Sequence, residues 1–273
     1  MKKTFFGALV AISSITFTGA SLAQDTISAV GSSSVTPLME VFGEVYSKAH
    51  PEIFVEVQGP GSSAGVRAAK SNTADLGMAS RELKDSEKEP ELKTKVIARD
   101  GIAVVVNPNN EVTELTSDQI QQIYKGEIKN WKDVGGADKP IVAITRDTAS
   151  GTRGAFEDIM SLKQKINGQK VSAISQHAQV ANGNGALKTS VASNPYAIGY
   201  ISLGTVDQSV KALTVDNTAP TISNVKNGSY KVARPFLVMY KGQPNARTNE
   251  FLQWMESKEA QQIVDDKGYI SIH

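Results

Sequence analysis

The chain has 273 residues, of which 40% are hydrophobic and 21% charged, and it has no cysteine. That is the mix of a globular protein with ample core, so a disordered or fibrous chain is excluded, as are disulfides, thiolate catalysis, cysteine zinc sites and a cysteine lipid anchor in this sequence. Lys plus Arg is 29 against 28 for Asp plus Glu, and only His50, His177 and His273 carry imidazole, which argues against a general polyanion binder and a histidine-rich metal centre.

The first segment reads as an address. Lys2 and Lys3 precede an apolar run over residues 5–17, and Ser21-Leu22-Ala23 puts small residues where a signal peptidase cuts. The pattern is that of a secretory signal peptide over residues 1–23, with cleavage expected after Ala23. The apolar run is shorter than the ~20 residues of a transmembrane span. Cleavage would leave 27 basic against 28 acidic residues. The mature protein is therefore expected to be soluble and exported, with the periplasm of a Gram-negative bacterium as the best fit.

Strand-like runs then alternate with helical patterns. Residues 26–30, 54–58, 102–107, 141–145, 197–201 and 235–240 read as strands. Leu38, Val41, Phe42, Val45, Tyr46 and Ala49 recur at helical spacing, with Pro37 suited to the first turn. Thr116-Ser117-Asp118-Gln119 is a capping-box pattern ahead of Ile120, Ile123 and Tyr124. Near the end, Phe251, Leu252 and Met255 share one face, and Ala260, Ile263 and Val264 continue it after Ser257. Residues 107–110, 135–139, 182–185 and 216–229 read as loops. The alternation implies an α/β fold with buried sheets.

Three strand-to-helix junctions are built from small polar residues. They are Gly31-Ser32-Ser33-Ser34-Val35-Thr36-Pro37, Gly59-Pro60-Gly61-Ser62-Ser63-Ala64-Gly65 and Arg146-Asp147-Thr148-Ala149-Ser150-Gly151-Thr152-Arg153-Gly154. The first helical turn leaves N–H groups unpaired, and the helix dipole adds roughly half a positive charge there. Small side chains let a ligand approach that backbone, and hydroxyls add donors. One such junction is ordinarily a cap. Three in a chain of near-neutral charge, one led by Arg146, point to an oxyanion site.

These junctions, with Ala74-Asp-Leu-Gly-Met-Ala-Ser-Arg81, Gln122-Ile-Tyr-Lys-Gly-Glu-Ile-Lys-Asn-Trp131 and the run from Phe251 to Tyr269, resemble the phosphate-binding proteins of bacterial high-affinity phosphate ABC transporters. The resemblance covers essentially the whole mature chain. It implies a type II periplasmic-binding-protein fold, with two α/β lobes joined by two crossing segments and the ligand cleft between them. The expected lobes are residues 24–104 with 233–273, and residues 105–232. It implies a receptor, not an enzyme, that passes inorganic phosphate to the membrane permease subunits of an ATP-driven importer. A monomer is expected, with no nucleic acid, metal or organic cofactor.

Carried across by the same resemblance, the phosphate ligands are Ser33, Ser34, Ser62, Ser80, Arg146, Ser150, Gly151 and Thr152. Arg146 can give two charge-assisted bonds to phosphate oxygens. The sequence departs from the family at Ser80, where well-known members carry an Asp that accepts the proton of bound phosphate. A serine there can accept or donate, so sharper rejection of sulfate is not expected. Arg81 reads either as a second cation or as a solvated side chain, and Asp147 as the group that orients Arg146. A rival reading takes Gly61-Ser62-Ser63-Ala64-Gly65 as a G-x-S-x-G hydrolase motif, with Ser63 as nucleophile and His177 as base. No second esterase motif accompanies it.

Overall fold

The computed structural model describes residues 25–273, so the signal segment expected over residues 1–23 lies outside the described residues. In chain order the elements are β1 (Asp25–Gly31), α1 (Thr36–Ala49), β2 (Ile53–Gln58), α2 (Ser62–Ser71), β3 (Leu76–Ala79), β4 (Leu92–Val106), β5 (Glu114–Leu115) and α3 (Ser117–Lys125). There follow β6 (Val142–Arg146), α4 (Gly151–Ile159), β7 (Lys163–Ile166), β8 (Gln169–Ser172), β9 (Gln179–Ala181), α5 (Gly183–Ala192) and β10 (Ala197–Ser202). The chain ends with β11 (Lys211–Ala212), β12 (Thr214–Val215), α6 (Ile222–Lys226), β13 (Ala233–Lys241), α7 (Ala246–Met255) and α8 (Lys258–Asp266).

The helices form where local chemistry directs them. In α1, Pro37 occupies the first turn and Leu38, Met39, Phe42, Gly43 and Tyr46 are buried. Val41 and Val45 are only half-buried and Ala49 is exposed, so the inner face is narrower than the apolar spacing suggested. The capping box of α3 is fully made: Thr116 Oγ1 accepts from Gln119 N at 3.1 Å and Gln119 Oε1 accepts from Thr116 N at 2.9 Å. Asn245 and Ser257 cap α7 and α8 by single bonds, accepting from Thr248 N and Ala260 N. Two segments read as loops contain helix: α5 begins at Gly183, and α6 lies within residues 216–229.

The main sheet runs β2-β1-β3-β13-β4-β10-β6-β9, with β11 also on β4. β1 is parallel to both β2 and β3, whereas β13 is antiparallel to β3 and to β4. Strand β4 belongs to two neighbourhoods. From Leu92 to Gly101 it pairs with β13, and from Ile102 to Val106 it pairs with β10. Its burial changes at the same point, from a partly alternating pattern to continuous burial through Val106. A strand covered on both faces reads as an unbroken apolar run, and a one-sided strand does not. That is why only residues 102–107 read as a strand.

Apolar side chains gather on either side of this switch. One cluster joins β1, α1, β2, β3, α7 and α8 through Ile27, Phe42, Met78, Phe236, Phe251 and Val264. A second joins α3, α4, β10 and the later strands through Val104, Tyr124, Trp131, Phe156, Tyr200 and Leu213. Phe156 stacks on Tyr200 with centroids 3.9 Å apart, and Tyr124 meets both rings edge-on. Trp131 is buried and donates to Tyr196 O, while Trp254 packs edge-on against Phe42. Both tryptophans are packing residues, as the sequence suggested.

Candidate functional site

The three small-polar junctions meet at the C-terminal ends of β1, β2 and β6. β1 ends at Gly31, where φ is +151° and a Cβ would lie 2.1 Å from Met78 O, so only glycine allows this approach. The turn beyond it presents Ser32, Ser33 and Ser34. The second junction opens α2 at Ser62, and the third opens α4 at Gly151. The second and third junctions bond directly, Ser63 N donating to Ala149 O at 3.1 Å.

Arg146 is 2% exposed at the end of β6. Its backbone N donates to Tyr200 Oη, which also shares a 2.6 Å bond with Thr145 Oγ1. Its Nη1 donates to Asn184 Oδ1 at 3.1 Å and its Nη2 to Ser33 Oγ at 3.0 Å, while the buried Nε has no partner. No carboxylate is bonded to it among the described residues. Burial pushes its pKa down, partly opposed by the charge of Asp147, yet a guanidinium stays charged near neutrality. A buried cation with a free donor and neutral neighbours is completed only by an anion.

Hydroxyls surround it. Ser34 Oγ lies 2.9 Å from Thr152 Oγ1 and accepts from Asn184 Nδ2 at 2.9 Å. Ser62 Oγ accepts from Ser80 N at 3.1 Å. Ser80 Oγ accepts from Ser32 Oγ at 2.8 Å. Ser150 caps α4 by accepting from Arg153 N at 3.2 Å, which leaves its own hydrogen free to donate. The N–H groups of Gly151 and Thr152 have no acceptor among the described residues. Gly151 sits so close that a Cβ would fall 2.1 Å from Ser62 Oγ and 2.6 Å from Ser80 Oγ. Ser33, Ser34, Arg146 and Thr152 are thus joined in one hydrogen-bond network, and Ser62, Ser80 and Gly151 form its other wall. A cleft of about 390 Å³ between Ser33, Gly59, Pro60, Gly61, Arg146, Asp147, Asn182 and Gly183 opens onto this network from outside.

Two neighbours behave differently from expectation. Asp147 Oδ1 accepts from Ala149 N at 2.8 Å and shapes the turn; Asn184 and Ser33, not Asp147, orient the guanidinium. Arg81 is neither a free cation nor solvated. It is 4% exposed and donates to both oxygens of Glu87, at 2.7 and 2.8 Å. The hydrolase geometry is absent. Ser63 Oγ accepts from Arg81, His177 is exposed, and no hydrogen bond joins the two.

Sequence reading missed four residues. Asn184 lay in a stretch read as a loop, yet it sits in the first turn of α5 and bridges Arg146 to Ser34. Ser32 was passed over within its own motif. Arg234 and Asp100 pair at 2.9 Å in the interior, and Arg234 Nη1 reaches Ser80 Oγ at 3.3 Å. The available signal was a charged residue at the head of the apolar run Pro235-Phe-Leu-Val-Met239, because a buried charge demands a partner.

A model of the PBP superfamily domain matches residues 18–259. The phosphate-binding protein PstS of Staphylococcus epidermidis is 32% identical over 260 residues, covering 88% of this chain and 76% of that protein. PstS of Borreliella burgdorferi is 27% identical, with 88% of each chain covered. Among solved structures, a Clostridium perfringens protein crystallised with bound phosphate superposes with a TM-score of 0.86 at 42% identity, covering 91% of this chain and all 100% of that one. An ABC-type phosphate transport receptor from Vibrio cholerae superposes with a TM-score of 0.76 at 42% identity, covering 89% and 99%. Relatives in Staphylococcus and Bacillus, which are Gram-positive, mean that kinship does not select a Gram-negative source. Fold, motif order and these likenesses agree: the chain belongs to the PBP superfamily and, within it, to the phosphate-binding proteins of phosphate ABC transporters.

Proposed function

We propose that this protein is an extracytoplasmic receptor that binds inorganic phosphate and delivers it to the membrane permease subunits of an ABC importer. The observation that carries the reading is Arg146, buried without a carboxylate among hydroxyl and N–H donors. The printed functions of the relatives support it. The proposed ligand set is Ser33, Ser34, Ser62, Ser80, Arg146, Ser150, Gly151 and Thr152, with Asn184 holding the guanidinium in place. The arrangement suits binding rather than turnover, since donors line the site and, among the described residues around it, no nucleophile is paired with a base.

In this reading residues 24–104 with 233–273 form one lobe and residues 105–232 the other. The donors come from both, so the anion is enclosed when they close, and closure is what the permease senses. A signal peptide over residues 1–23 would deliver the protein across the inner membrane to a periplasm, where it acts as a monomer. No helix among the described residues is long and apolar enough to cross a membrane. Titration calorimetry of the purified mature chain against phosphate, sulfate, arsenate and a nucleotide tests the reading. Saturable binding of one phosphate per chain is expected. Absence of phosphate binding by natively folded protein would overturn it.

A further inference from the structure

The pair Asp100–Arg234 has no part in the ligand set above, yet it touches that set at Ser80. Asp100 lies on β4 and Arg234 on β13, one residue from where β4 changes partners. Arg234 donates from Nε and Nη2 to Asp100 Oδ2, and its third nitrogen, Nη1, donates to Ser80 Oγ at 3.3 Å. Ser80 is fully buried, and its oxygen also accepts from Ser32 Oγ at 2.8 Å. A hydroxyl has two acceptor positions and one hydrogen. Both acceptor positions of Ser80 are therefore filled from within the protein, and only its hydrogen remains. That hydrogen has no acceptor among the described residues, and Ser80 Oγ lies against Gly151, whose N–H is also unpaired.

We propose that Arg234, held by Asp100, fixes Ser80 as a hydrogen-bond donor, so that the site takes tetrahedral oxyanions as dianions and reads no proton at that position. The inference rests on the phosphate-receptor reading and deepens it by naming the ionisation state selected. The dianion's single proton can go to a hydroxyl with a free acceptor position, such as Ser62 Oγ, whereas Arg146 Nε, the N–H groups of Gly151 and Thr152 and the hydroxyl of Ser80 can only donate, so a second proton meets donors. The phosphate monoanion carries one more proton than the dianion, so it fits worse. Sulfate carries none, so a donating Ser80 does not exclude it. Arg234 is a positioning residue that acts through Ser80.

The charged and titratable groups around Ser80 are few. Arg234 and Asp100 approach from β13 and β4, and Arg146 from β6. Arg81, the next residue, turns its guanidinium to Glu87. Tyr200 and Tyr269 carry phenols that burial holds in the neutral form, and Asp147 faces its own turn. Any titration among these groups would change sulfate binding too, so sulfate is the internal control.

The test is calorimetric affinity for phosphate and for sulfate, at fixed ionic strength, across the second ionisation of phosphate. In the wild type, phosphate affinity should fall about tenfold per pH unit on the acid side, the limiting slope for binding the dianion alone, while sulfate affinity stays level. The double variant Asp100→Asn/Arg234→Met leaves no unpaired buried charge and frees one acceptor position on Ser80. Its phosphate affinity should depend less on pH than that of the wild type. Ser80→Asp, which leaves Arg234 in place and can only accept, should bind phosphate across the range and lose sulfate by at least about tenfold. A wild-type phosphate affinity that is level through the ionisation overturns the inference. So does a folded double variant that keeps the wild-type slope; should it not fold, the Ser80→Asp ratio decides. Binding of neither anion at any pH is a different result, because it overturns the receptor reading itself.

Discussion

Arg146 is a cation that the fold buries without neutralising. Most buried guanidinium groups are paired, as Arg234 is with Asp100 and Arg81 with Glu87. In the proposed reading, the contrast between these three arginines separates a binding charge from structural ones. Arg146→Ala should lower phosphate affinity by about 2–5 kcal/mol, the cost of removing one partner of a desolvated charge pair. The ligand-free protein should melt no lower than the wild type, because the deleted charge has no carboxylate partner to strand. Calorimetry and a thermal scan check the two halves separately, and near wild-type affinity would remove Arg146 from the site. Gly151→Ala should also abolish tight binding, by more than about tenfold, while leaving ligand-free stability within about 1 kcal/mol. Its added methyl would fall 2.1 Å from Ser62 Oγ and 2.6 Å from Ser80 Oγ, and in the proposed two-lobe motion it would obstruct closure rather than folding. A variant that binds phosphate normally would show that these walls do not close on the anion. At this scale the motif residues were legible because small polar residues at helix starts have a chemical meaning. Asn184 was not, since an Asn in an Asn-Gly-Asn-Gly run has the local signature of a turn.

Among the elements, the loop after β3 is tied back on itself by Arg81 and Glu87. Burial raises the Glu87 pKa, but hydrogen bonds from Arg81 and the Lys84 backbone outweigh it and hold the carboxyl below its ordinary 4.5. A depressed folded value means that the stabilisation is complete above the unfolded value and is lost as pH falls through the folded one. Glu87→Gln should therefore cost about 2 kcal/mol at neutral pH and progressively less below pH 4.5, where the unfolded chain begins to take up the proton, until the difference closes as pH falls through the lower folded value. Denaturant unfolding of both proteins at several pH values checks this, and a difference that does not change with pH would refute the linkage. Fully buried strands were readable as apolar runs, as β10 shows with Ala197–Ser202 buried throughout. The β7–β8 hairpin and the first half of β4 were not readable. Lys163–Ile166 and Gln169–Ser172 are largely exposed, and their pairing partner, not their composition, makes them strands.

The whole molecule has apolar clusters on either side of the point where β4 exchanges β13 for β10. The two-lobe reading proposed above puts a hinge at this point, with the proposed anion donors on both sides of it. Small-angle scattering should record a smaller radius of gyration on adding phosphate. The Gly151→Ala variant should show less change. Identical profiles with and without phosphate would count against closure in solution.

The sequence by itself determined the α/β class, the strands that are buried on both faces, the helix caps and the three donor-rich junctions. Each of these depends on neighbours a few residues away, through periodicity, capping and the unpaired N–H groups of a first helical turn. Only the tertiary structure decided that Arg146 lacks a carboxylate, that Arg81 has one, and that Ser80 has both acceptor positions filled. Those outcomes depend on Asn184, Glu87 and Arg234, the last of them 154 residues from Ser80. Whether a charge or a hydroxyl is left for a ligand is settled by which distant groups reach it first, and spacing along the chain does not encode that.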